Sequence, residues 1–210
     1  MALGNFFADG ALQAAQGSAD RQQRAERARK EYQQALEIDA TCVSAYLALG
    51  RLATSMSDYA EAVKWYRKGL EKLPREGALW LNLGMCLARH KEWNQAVEAL
   101  RKATECDPDN KHYYGTLGFC LAYTGQIEQA QAAFEKGYGE TLAHYHLARI
   151  LFEMHLDSDA LQHVQIVVQK EPTYKPAQRL LAQLEGRQPS DADVRPAGFE
   201  APAESETAPR

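Results

Sequence analysis

The sequence predicts an all-α fold, a solenoid of stacked antiparallel helix–turn–helix units, and three observations carry that prediction. Gly50, Gly84 and Gly118 recur at one fixed interval, each directly after a leucine, Leu49, Leu83 or Leu117. At a constant distance after each glycine comes an alanine, Ala62, Ala96 or Ala130, opening a second run of small and large apolar positions. Pro74 and Pro108 then close the first two units, where a residue that cannot continue a helix enforces a turn. A glycine in mid-helix costs roughly 1 kcal/mol relative to alanine, so its recurrence there points to backbones too close for a side chain.

The elements follow in order. Ala28, Tyr32 and Ala35 lie one full period before Ala62, Tyr66 and Gly69, which predicts the second helix of an early unit over Gln22 to Ile38. Its first helix has two registers: one puts Ala15 and Gln16 in the leucine and glycine positions, and the favoured one uses Phe6-x-x-Asp9-Gly10 with extra residues around Gly17 and Ser18. Regular units are expected over 43–76 and 77–110. A third, over 111–140, ends in Gly137-Tyr138-Gly139-Glu140 without a proline, and the landmarks of the next unit, 141–174, come four places early. That slip predicts a shortened second helix and a tight turn. Leu180, Leu181 and Leu184 beside polar neighbours predict an amphipathic capping helix over 175–186. The remaining segment, 187–210, holds four prolines and five acidic residues and is expected to be disordered. It is either an inert extension or a carrier of a short binding motif around Phe199.

In register, the units read Tyr46-x-x-Leu49-Gly50, Trp80-x-x-Leu83-Gly84 and Tyr114-x-x-Leu117-Gly118. Their second halves read Ala62, Tyr66, Gly69; Ala96, Leu100, Ala103; and Ala130, Phe134, Gly137. The fourth reads His144-x-x-Leu147-Ala148, then Ala160, Val164, Val167 and Pro172. This pattern resembles the tetratricopeptide repeat (TPR) family over residues 5 to 186. The resemblance implies a right-handed α-solenoid that binds proteins without catalysing a reaction.

Composition narrows the function. The chain has 210 residues, 45% of them hydrophobic, and a net charge of -4, as expected for one ordinary globular domain with a tail. No apolar run approaches the roughly 18 residues of a membrane span, and Met1 to Asn5 does not begin a secretory leader, so a cytoplasmic protein without membrane insertion is expected. The acidic balance argues against nucleic acid. Arg21, Arg24, Arg27, Arg29 and Lys30 cluster, but Glu26 and Glu31 interleave with them as on a solvated helix face.

No motif for catalysis or cofactor binding is present: no phosphate-cradling glycine loop, no H-E-x-x-H, no G-x-S-x-G, no paired cysteines. Neither a cofactor nor a metal is expected. Cys86 and Cys120 occupy equivalent positions suited to small buried fillers, with a redox role as the alternative. A histidine metalloenzyme would use His144, His146, His155 and Glu153, but residues two apart point roughly 200 degrees apart around a helix, which sets His144 and His146 at odds.

The resemblance implies that the first helix of each unit lines a concave groove. Position by position, the lining is Ser44, Leu47, Ala48 and Arg51; Ala78, Leu81, Asn82, Met85 and Arg89; His112, Thr116, Phe119 and Tyr123; and Tyr145, His146, Arg149 and Phe152. Aromatics there would anchor an extended peptide or a short helix, and the arginines would meet acidic groups. Among the positions of the carboxylate clamp of heat-shock co-chaperones only Asn82 matches; Leu47, Arg51, His112 and Thr116 depart from it. A protein-binding adaptor or scaffold is therefore expected, with a bacterial secretion- or pilus-assembly chaperone as the alternative.

Overall fold

The computed structural model describes residues 19–186, and those residues form ten helices without a strand. The chain divides into two compact units, one ending at Asp109 and the other beginning at Asn110. The expected first helix around Phe6 to Gly10 and the tail 187–210 lie outside the described residues.

In the first unit, α1 (Ala19–Ile38) leads into the hairpin of α2 (Val43–Ser55) and α3 (Tyr59–Lys72), then that of α4 (Gly77–Arg89) and α5 (Trp93–Cys106). Within each hairpin the helices pack antiparallel, and α4 also lies against α2 and α3. In the second unit, α6 (Lys111–Tyr123) pairs with α7 (Ile127–Tyr138), and α8 (Glu140–Glu153) pairs with α9 (Asp157–Lys170). The last helix, α10 (Lys175–Gly186), packs on α9 and α8.

The alanines that set the period are the tightest points of this packing. Ala28, Ala62, Ala96, Ala130 and Ala160 are all 0% exposed, and Tyr32, Tyr66, Leu100, Phe134 and Val164, one helical turn on, are buried beside them. Across each hairpin the glycine makes room for the large residue. A Cβ on Gly50 would stand 2.2 Å from the ring of Tyr66, one on Gly84 2.7 Å from Leu100, and one on Gly118 2.7 Å from Phe134.

The turns repeat as well. Inside each hairpin the chain passes through one residue of positive φ: Ser57, Lys91, Gly125 and His155, at 61° to 78°. Between hairpins, a side chain near the start of the incoming helix donates back to the preceding turn. Tyr46 Oη reaches the Ala40 carbonyl at 3.0 Å, Trp80 Nε1 reaches Pro74 O at 2.8 Å, and Gln178 Nε2 reaches Pro172 O. Gln178 lies one full period after His144, so α10 enters as the first helix of a further unit would.

The slip in the period has a compact cause. Helix α7 has 12 residues where α3, α5 and α9 have 14, and a single residue, Gly139, separates it from α8. Gly139 has φ 86° and ψ 165°, a region that residues with a side chain essentially avoid.

The basic residues of α1 behave as a helix face. Arg24 pairs with Asp20 at 2.9 Å and Arg29 with Glu26 at 3.1 Å. Arg21 is buried and donates from Nη2 to the Ser55 carbonyl, tying α1 to the end of α2.

Candidate functional site

The predicted lining falls on the first helix of each hairpin, and the two units carry it differently. In the first unit, Leu47 and Ala48 are half-buried and Arg51 is exposed on α2. On α4, Asn82 is half-buried and donates from Nδ2 to the Ala78 carbonyl at 2.7 Å, while Met85 and Arg89 are each at least partly open. Leu81 differs: at 8% exposure it belongs to the packed layer. One residue is about 100° of helix rotation, enough to turn a lining position into a packing position. Arg51 and Arg89 both act on the Tyr66 phenol, whose burial nonetheless pushes its pKa up to about 12.

Beside Arg89 opens a cleft of 420 Å³ lined by Thr54, Ser57, Tyr59, Cys86 and His90. Its Thr54 and Tyr59 hydroxyls are engaged, the first by the Gly50 carbonyl at 2.9 Å. The Tyr59 hydroxyl donates to Glu92, its ring lies 3.6 Å from that of His90, and burial with the Glu92 bond holds the phenol far above its usual range. Burial also raises the Cys86 thiol, and it pushes Cys120, in the second unit, up to about 12. Both thiols are protonated at neutral pH, as small buried fillers are.

The second unit carries the aromatic share. On α6, Thr116 back-bonds to the His112 carbonyl at 3.1 Å, and Phe119 meets Tyr123 with ring centroids 4.8 Å apart. On α8, Tyr145 packs edge-on against Tyr174 at 5.2 Å. Tyr123 Oη donates to Glu153 Oε2 at 2.9 Å, and Arg149 stands 4.0 Å from the same carboxylate, so α6 and α8 are joined through Glu153. Desolvation, then the Glu153 bond, pushes the Tyr123 phenol up to about 12. Phe119, Tyr123, Tyr145 and Phe152 are each partly exposed, and His112 and Arg149 are exposed. His146 turns inward: its ring lies against Tyr138 at 4.6 Å and Phe134 at 5.5 Å, and burial lowers its pKa.

The residues of the metal reading are taken apart by the fold. His144 meets His163, His146 packs on α7, His155 lies in the α8–α9 turn, and Glu153 accepts from Tyr123. Among the described residues no three metal-ligating side chains converge.

Sequence reasoning missed a second concavity in the first unit. A cleft of 590 Å³ opens among α3, α4 and α5, away from Met85 and Arg89. Leu70, Trp80, Leu83 and Leu87 floor it, and Arg67, Glu71, Glu98 and Lys102 rim it with both signs of charge. Trp80 and Leu83 were legible as positions of the repeat motif, and an open cleft over them was not.

A family model described as Tetratricopeptide repeat matches residues 18–76 and again 47–111, and a second of the same description matches 99–132. No curated protein sequence matches the chain. Among solved structures, the chain is similar to YrrB, described as a TPR protein with an unusual peptide-binding site, at 22% identity and a TM-score of 0.56, covering 82% of this chain and 96% of that one. It is similar to Pseudomonas aeruginosa pilF at 22% identity and a TM-score of 0.57, covering 86% and 84%. It is also similar to MamA, from residue 41 to its end, of Desulfovibrio magneticus RS-1, at 18% identity and a TM-score of 0.57, covering 81% and 96%. At these identities the likeness is one of fold. No helix among the described residues is long and apolar enough to cross a membrane.

Proposed function

This chain belongs to the tetratricopeptide repeat family, whose fold serves protein–protein interaction and is typically non-catalytic, and from that premise we propose that it is an adaptor that binds an extended peptide or short helix on the exposed face of its first-position helices. The observation that carries the reading is the aromatic face of the second unit, where Phe119, Tyr123, Tyr145 and Phe152 stay partly open around Arg149. Partly exposed aromatics offer large contact area at small entropic cost, and one arginine beside them can fix the register of an acidic side chain. The first unit presents Arg51, Met85 and Arg89 in the same role, with less apolar surface.

Crosslinking in the native cell followed by affinity measurement on the captured partner tests the reading. Phe119→Ala and Tyr145→Ala are each expected to weaken binding by about 2 kcal/mol, near thirtyfold, without loss of helical content. Unchanged affinity in both variants would place the binding surface elsewhere, and the Trp80 cleft, probed by Trp80→Ala, is the first alternative.

A further inference from the structure

The hairpin of α8 and α9 brings two imidazoles into direct contact. His144 is 8% exposed, His163 is half-buried, and their Nδ1 atoms stand 2.8 Å apart. The ring centroids, at 5.1 Å, are much farther apart than the nitrogens. Two ring radii supply that difference when the nitrogens point at each other along one line. A shared metal ion would instead need both lone pairs to converge on a third point, with the rings folded together. The group that fits between these nitrogens is a proton.

Such a bond needs one ring to donate at Nδ1 and the other to accept there, so the neutral pair holds opposite tautomers. A first extra proton can enter at the far nitrogen of the donor ring and leaves the bond intact. A second sets N–H against N–H and two cations side by side. We propose that His144 and His163 form a proton-operated clasp, which holds α9 on α8 while the pair carries at most one extra proton and opens when it takes a second.

The surroundings resist that second proton only partly. Burial first, and the neighbouring His144 next, lower the His163 pKa, while Asp159, one turn before it, opposes them. Glu140, one turn before His144, is ion-paired with Lys170 of α9. From the other helices packed on this hairpin, α7 directs Lys136 over the Tyr114 ring and Glu135 at Gln131, and its Glu128 is exposed. Lys111 and His112 of α6 and Lys175, Arg179 and Glu185 of α10 are exposed. Because the His163 pKa is lowered on folding, below the usual histidine value of about 6.5 the unfolded chain binds more protons than the folded one. The stabilisation is fully present above that pH and is lost as the pH falls through it toward the folded value.

Amide hydrogen exchange on the full chain tests the clasp. Between pH 7.5 and 5.0, after correction for intrinsic rates, the protection of α9 is expected to fall while that of α6 holds. His163→Gln, whose amide can still donate to His144 but takes no proton, should hold that protection level across the range, while His146→Gln should keep the fall. A fall in His163→Gln as steep as in the unsubstituted chain overturns the proposal. Should that variant not fold, nitrogen NMR of the unsubstituted chain decides: at pH 7.5 one ring must carry its proton on Nδ1 and the other on Nε2, and identical tautomers overturn the clasp.

Discussion

Gly50 and Gly137 show how one missing Cβ sets the distance between helices. At Gly50 the obstacle is the flat ring of Tyr66, and at Gly137 it is backbone: an added Cβ would lie 2.9 Å from the amide nitrogen of Gly115 and 3.1 Å from the Lys111 carbonyl. Neither can turn aside. At Gly84 the nearest obstacle is the Cγ branch of Leu100, a side chain that is itself fully buried. Alanine gains roughly 1 kcal/mol of helix propensity over glycine, so overlap must exceed that to destabilise. Gly50→Ala, Gly84→Ala and Gly137→Ala are each expected to cost about 1–3 kcal/mol in urea unfolding. A neutral substitution at any of the three would contradict the packing account. These positions were legible in the sequence because identical neighbours recur at a fixed interval, and each alanine of the series is fully buried as the period requires. The inward turns of Leu81 and His146 were not, because a lining position and a packing position lie about 100° apart on one helix.

At the scale of elements, the break in the period was legible as a shortened second helix and a tight turn, but not as a particular backbone conformation. Counting shows four residues missing; only the backbone shows that the turn has contracted to Gly139 alone, at φ 86° and ψ 165°. A Cβ there would meet nothing within 4 Å, so its cost is conformational. Gly139→Ala is expected to destabilise by about 1–3 kcal/mol through backbone strain, with the loss of exchange protection centred on the ends of α7 and α8. A neutral substitution would show that the junction relaxes. The His144–His163 contact had no sequence signal at all, since these two residues meet only once the antiparallel register of α8 and α9 is known.

For the whole molecule, periodicity exposes what repeats and hides what does not. The order of helices follows from the fixed interval between glycines, whereas the Trp80 cleft depends on how far α3 and α5 stand apart over α4. No pattern along a single helix encodes that separation. The contracted junction has a further consequence, for cleavage. A protease must draw several residues of chain into extended form, and the turns over 39–42, 73–76, 107–110 and 171–174 offer four residues each, whereas the α7–α8 turn offers one. Limited digestion with an unspecific protease is expected to nick the chain at those longer turns well before it cuts between α7 and α8; early cleavage at Gly139 would show the junction to be open. The deletion that disturbs the repeat thus doubles as a seal at the point where the two hairpins join.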